Sequence, residues 1–214
     1  MNITVTGVKK AGLPQGFVYI DELIEDAVID AKYAGTDNFM GRPANGYLQP
    51  LVVMSLEAAR RCVEAAGILR SRGYLMKLFD AFRPQRAVDD FMAWGADIDD
   101  QRRKPINYPN VNKADVFDLG YIARKSGHSR GSSVDLSIID MHTMQELDMG
   151  SVFDFMDVRS HIVTSGLSDL QEKNRSILRD AMTACGFVTY ANEWWHFNLA
   201  QEPYPDTYFD FPIR

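Results

Sequence analysis

The chain is 214 residues long, 46% hydrophobic and 24% charged, which is enough for one domain, two at most, with a sizeable core. Lys plus Arg number 23 against 29 Asp plus Glu, a formal net charge of −6, and this argues against a nucleic-acid partner, which would want a basic face. The longest charge-free stretch, Pro43 to Leu56, has 14 residues broken by two prolines and a glycine, whereas a membrane-crossing helix needs about 20. The opening Met1-Asn2-Ile3-Thr4-Val5-Thr6 shows no basic block followed by an apolar one. A cytoplasmic location is therefore expected, or a periplasmic one if an export signal was removed. Two cysteines, Cys62 and Cys185, are too few for a disulfide framework or a thiolate zinc site and read as reduced packing residues.

No repeat, low-complexity tract or Gly/Ser linker divides the sequence, so residues 1–214 read as a single domain. Ser55 caps a helix to Arg72, with Leu56, Ala59, Val63 and Ala66 as its apolar stripe and Gly73 at its stop. Tyr74 to Asp80 reads as a strand, and Pro84 opens a second helix through Val88, Phe91 and Met92. Gly95 to Gly127 is polar, weakly periodic and irregular, a length more typical of a functional segment than of a plain connector. Ser133 to Ile139 alternates, with Ser133, Asp135 and Ser137 on one face and Val134, Leu136 and Ile138 on the other. Ser168 with Gln171 is a capping box for a third helix ending near Gly186, and Phe187–Tyr190 with Trp194–Leu199 form a closing strand pair. The fold class is α+β: a mostly antiparallel central sheet flanked by helices.

Two of the four histidines stand in informative company. His128 lies in Ser126-Gly127-His128-Ser129-Arg130-Gly131, and Asp135 follows seven residues on, inside the alternating strand. A carboxylate half-buried on such a strand needs a partner. The second histidine closes Glu193-Trp194-Trp195-His196. Two imidazole nitrogens and one carboxylate oxygen make a three-ligand zinc set with an open fourth position, the catalytic arrangement. Glu193, three residues before His196, is placed to act as the general base. Residues three apart point to opposite faces of a regular strand, so Glu193 is expected before the strand proper or at a bulge. Taken singly, each group has a plainer reading: a hydrogen-bonded structural histidine, a capping aspartate, core tryptophans.

These segments resemble the two signatures of the VanX-type D-alanyl-D-alanine dipeptidases, within the wider group of zinc peptidases that includes D,D-carboxypeptidases, lysostaphin-like endopeptidases and the hedgehog zinc domain. The likeness extends to Asp30-Ala31-Lys32-Tyr33-Ala34, Asp80-Ala81-Phe82-Arg83-Pro84, the segment Met149 to Met156 and the tail Glu202-Pro203-Tyr204-Pro205. It implies one Zn2+ in a cleft on the sheet, held by His128, Asp135 and His196, with Glu193 as base and Arg83 stabilising the oxyanion. It further implies that Asp154 pairs with the substrate's ammonium, that Ser126 lies near its carboxylate, and that Tyr33 and Tyr47 line the pocket. The implied partner is a small dipeptide, with no nucleic acid or membrane and an oligomer possible. The biological setting is glycopeptide resistance or D-alanine recovery. Phe82 departs from the family's frequent Tyr and would remove a hydroxyl from the pocket. A D,D-carboxypeptidase would need an open cleft at Asp154, and a non-catalytic zinc domain would not need both Glu193 and Arg83.

Overall fold

The alternating segment becomes the strand on which the sheet is built. In the computed structural model, which describes residues 10–214, the chain forms strands β1 (Phe17–Tyr19), β2 (Val28–Ile29) and β3 (Val53–Ser55), helix α1 (Leu56–Ser71) and strand β4 (Tyr74–Asp80). Helices α2 (Gln85–Ala96) and α3 (Lys104–Asn107), strand β5 (Ser133–Asp140), helix α4 (Asp169–Ala184) and strands β6 (Phe187–Tyr190) and β7 (Glu193–Leu199) follow. The reading of Met1 to Thr6 lies outside the described residues.

The five-stranded sheet runs β2-β4-β5-β7-β6, and β1 pairs with β3 in a small antiparallel ribbon. Only the β2–β4 pair is parallel; β4–β5, β5–β7 and β7–β6 are antiparallel. The sheet is thus mixed at one edge and antiparallel elsewhere. Helices α1 and α4 pack on each other, α1 against β4 and α4 against β6 and β7, forming the layer that buries Val134, Leu136 and Ile138.

The cap at Ser55 forms, its Oγ accepting from Ala58 N at 3.4 Å. The buried face of α1 is rotated from the expected stripe: Ala58, Ala59, Cys62, Ala65, Ala66 and Leu69 are buried, while Val63 is exposed. Four alanines and a cysteine let the helix approach its neighbours closely, and the larger β-branched residue is left on the outside. Pro84 stands immediately before α2 rather than in its first turn. The capping box of α4 is complete, with Gln171 N donating to Ser168 Oγ at 3.3 Å and Ser168 N donating to Gln171 Oε1 at 3.0 Å.

β5 is buried on both faces rather than half-buried. One face meets the helical layer. On the other, Asp135 shares a cavity with residues 120–123 of the long irregular segment, so that segment covers the polar side of the strand. The irregularity expected around Glu193 is present: the β6–β7 register shifts between Thr189 and Tyr190, and Tyr190 pairs with Glu193.

Leu136 is fully buried at the centre of the sheet, so Leu136→Ala should lower unfolding free energy by about 2–5 kcal/mol. Ser168→Ala, which removes one cap, should lower it by only about 1 kcal/mol. Urea denaturation of both variants checks the ranking.

Candidate active site

Three structural choices bring the site together. β5 and β7 pair so that Asp135 faces His196 across the ladder. His128 sits in a 3₁₀ turn that ends at Gly131 with φ 82°, a left-handed position where a Cβ would fall 2.5 Å from the Phe17 ring. β4 ends at Asp80 and releases the chain toward Arg83, whose backbone N–H donates to the His128 carbonyl at 3.3 Å.

His128 Nε2 lies 3.3 Å from Asp135 Oδ2, His196 Nδ1 lies 3.0 Å from Asp135 Oδ1, and the two imidazole nitrogens are 3.1 Å apart. The outward nitrogens define the tautomers. His128 Nδ1 is 2.6 Å from the Ala81 carbonyl, and His196 Nε2 is 3.1 Å from Asn198 Oδ1, which also accepts from Ser133 Oγ. Both acceptors lack a proton, so in the neutral form of each histidine the outer nitrogen carries the hydrogen and the inner nitrogen presents a lone pair. Two facing lone pairs beside a buried carboxylate are a favourable arrangement only around a cation. Ligand atoms about a tetrahedral zinc at ~2.0–2.1 Å stand roughly 3.4 Å apart, close to the separations here, so the donor set fits the metal that the resemblance implies.

Asp135 is almost fully buried. Burial raises its carboxyl pKa, but the charges and hydrogen bonds of His128 and His196 outweigh burial and hold it well below the usual range. Burial lowers His128; for His196 burial also opposes the charged form, but its bond to Asp135 prevails and raises it. Glu193 Oε2 is 3.7 Å from His196 Nδ1. Burial pushes its carboxyl up to about 8, with Asp135 adding to the rise and His196 and Arg83 opposing it.

Arg83 donates from Nε to Asp80 Oδ2 at 2.9 Å and from Nη2 to Asp135 Oδ2 at 3.5 Å. Its guanidinium carbon lies 5.0 Å from the ring centroids of Tyr33 and Phe91. Asp154 adopts φ 57°, a strained conformation for a residue with a side chain, and receives the Tyr33 hydroxyl at 3.1 and 3.0 Å. Burial, with Asp135 and Glu193 nearby, raises its carboxyl pKa. Ser126, His128, Arg83, Asp135, Asp154, Glu193, His196 and Tyr33 all line one cavity of about 460 Å³.

Two expectations are corrected. Tyr47 does not line this cavity; its hydroxyl donates to Asp80 Oδ1 at 2.6 Å, so it buttresses the carboxylate that orients Arg83. Phe82 is fully buried and stacks on Phe211 at 4.1 Å, so its lack of a hydroxyl takes nothing from the pocket. Sequence reasoning missed Asp80 as the anchor of Arg83 and Asn198 as the partner of His196. The alternation of β7 places Asn198 on the same face as His196 and was the available signal. It also missed Tyr121, Arg130 and Tyr190, which complete the cavity wall.

Glu193 has a pKa raised to about 8 from an ordinary 4.5, so the folded metal-free protein holds a proton that the unfolded chain releases. That contribution to stability is present below about 4.5 and is lost as pH rises toward about 8. Glu193→Gln lacks the titration. Its stability relative to the parent, both stripped of metal, should rise between pH 5 and 8 and then level off, as denaturation at several pH values would check.

A family model described as D-ala-D-ala dipeptidase, Peptidase_M15, matches residues 14–214. A D-alanyl-D-alanine dipeptidase of Enterococcus faecium is 43% identical over 199 residues, covering 93% of this chain and 98% of that protein. One from Streptomyces coelicolor is 44% identical over 197 residues, covering 92% and 98%. Among solved structures, a mutant of the vancomycin-resistance D,D-pentapeptidase VanY in complex with Zn(II) aligns with TM-score 0.42 at 14% identity, over 73% of this chain and 75% of that one. With relatives above 40% identity over nearly its whole length and a family match to its last residue, this chain belongs to the D-Ala-D-Ala dipeptidase family of M15 peptidases.

Proposed function

We propose that this chain hydrolyses D-alanyl-D-alanine to two D-alanines, using one zinc ion held by His128, Asp135 and His196. The observation that carries the reading is the convergence of that ligand set with Glu193, Arg83 and Asp154 in one small cavity. Family membership supports the reaction; the assignment of roles rests on the geometry. A zinc ion bound there supplies Lewis acidity, making a water nucleophilic near neutral pH and polarising a carbonyl.

The chain's own groups do the rest. Asp154, which burial makes reluctant to ionise alone, gains a compensating charge when the substrate ammonium arrives, and Tyr33 holds its two oxygens in place. The Ser126 hydroxyl, which already accepts from His128 N at 3.2 Å, has its proton free to donate to the substrate carboxylate. Glu193, whose ionised form a bound cation nearby would favour, takes a proton from the attacking water and delivers it to the leaving amine. Arg83, oriented by Asp80, offers its guanidinium to the oxyanion as the carbonyl becomes tetrahedral. A longer peptide would leave Asp154 facing an uncharged amide in a buried site, which disfavours it.

Among the described residues no helix is long and apolar enough to cross a membrane. A cytoplasmic location, or a periplasmic one if an export signal was removed, belongs to the proposal, and cell fractionation tests it.

Metal analysis together with D-Ala-D-Ala hydrolysis before and after chelation is the decisive experiment: about one zinc per chain with reversible loss of activity is expected, and full activity without metal would refute the reading. Glu193→Gln should keep zinc but lose about 10²–10⁴-fold in kcat. Arg83→Lys, which loses the planar fork, should lose roughly 10²-fold in kcat with a smaller change in KM. Retained turnover in either variant removes that residue from the chemistry.

A further inference from the structure

The long irregular segment between α2 and β5 has so far served only to cover β5. Part of it does more. Gly120, Tyr121, Ile122 and Ala123 line the catalytic cavity, and this stretch is fastened at several points. At its root Val116 is fully buried, and Phe117 rests on α2 so closely that a Cβ at Gly95 would fall 2.2 Å from its ring. Further along, the turn joining β6 to β7 holds two consecutive carbonyls. Asn192 Nδ2 donates to Leu119 O at 3.1 Å and the Tyr190 hydroxyl donates to Gly120 O at 2.7 Å. Gly120 has φ 79°, and a Cβ there would fall 2.9 Å from the Tyr190 oxygen and 3.1 Å from Asn192 Nδ2. A glycine is therefore required for both bonds to form. On the other side the Tyr121 hydroxyl is hydrogen-bonded to His161 Nε2 at 3.1 Å, and the loop bearing His161 is tied to the same turn by Ile162 N donating to Ala191 O at 2.9 Å.

We propose that residues 119–123 form a fixed cap over the catalytic cavity, that this cap limits the substrate to two residues, and that Asn192 and His161 are its positioning residues. Neither Asn192 nor His161 lines the cavity, so they act only through the groups they hold. The turn that fastens the cap is the one that delivers Glu193, which begins β7 directly after Asn192. The cap is thus fastened beside the base, while Glu193 itself is placed by the β7 backbone and its pairing with Tyr190 and not by the Asn192 amide. A mobile loop could yield to a longer peptide; a segment held by three side-chain hydrogen bonds and a buried root yields only by breaking them. The Asp154 charge selects an ammonium at one end, whereas the cap closes off part of the same cavity.

The inference rests on the dipeptidase reading, and the test separates the two. Zinc-loaded parent, Asn192→Asp (near-isosteric but without the amide donor), His161→Ala and the double variant are compared for kcat/KM on D-Ala-D-Ala and on tri-D-alanine, with thermal melting and amide hydrogen exchange of residues 119–123. The double variant is expected to raise the ratio of tripeptide to dipeptide turnover by about tenfold or more, the effect of releasing one or two hydrogen bonds. Exchange at 119–123 should quicken, kcat on the dipeptide should stay within a few-fold, and His161→Gln should restore part of the selectivity. An unchanged ratio in folded variants overturns the cap. Should the double variant fail to fold, Tyr121→Phe, which removes only the hydroxyl, must shift the ratio in the same direction, and no shift overturns the cap equally. A parent that already cleaves the tripeptide as readily as the dipeptide overturns the dipeptide reading itself.

Discussion

The Asp135 carboxylate is the constraint around which the protein is arranged. Burying a charge inside a sheet is costly unless it is paired and hydrogen-bonded, and here the pairing is divided. One oxygen faces His196 on the neighbouring strand and the other faces His128 and Arg83. Three separate stretches of chain must therefore converge on one strand position. The antiparallel register of β5 with β7 places the first partner, the glycine-bounded turn places the second, and the end of β4 places the third.

A second carboxylate makes that convergence rigid. Asp80 is buried between the Tyr47 hydroxyl and Arg83 Nε and lies 3.8 Å from His128 Nδ1. It fixes the guanidinium at one corner, while the neighbouring Tyr33 and Phe91 rings, their centroids 4.9 Å apart, each lie 5.0 Å from its carbon. The result is a chain of groups, Tyr47–Asp80–Arg83–Asp135, in which each is hydrogen-bonded to the next before any substrate arrives. Such preorganisation avoids reorganisation cost as charge develops in the reaction. At the site, backbone strain falls on Asp154, whose left-handed conformation turns a carboxylate into the cavity. Asn107 Nδ2 donates to the Asp154 carbonyl at 3.2 Å and holds that conformation.

How much of this could be read in advance depended on the range over which each feature is decided. The α4 capping box, the Ser55 cap and the β4 boundaries came directly from residue order, because caps and alternation act within one turn or one pleat. The bulge at Glu193 could be deduced from a conflict: a proposed base and a proposed ligand three residues apart cannot share a face of a regular strand. The buried face of α1 differs by one position from the expected stripe, since alanines at several registers offer more than one apolar arc and only packing against α4 and the strands selects among them. Tyr47 was placed in the pocket because motif order carries no information about which side of Arg83 a side chain approaches.

By itself the sequence determined the strand carrying Asp135, and through its resemblance the family, while the ligands and the base enter as proposals; all of these rest on residue identity in local order. Tertiary structure alone decided the partners of the outer nitrogens of His128 and His196, the anchoring of Arg83 through Asp80 and Tyr47, and the placing of residues 120–123 in the cavity wall. Each of these joins residues far apart in the chain, such as His128 with Ala81 or Leu119 with Asn192. The energy of such a contact exists only once the sheet has set the distance between its partners.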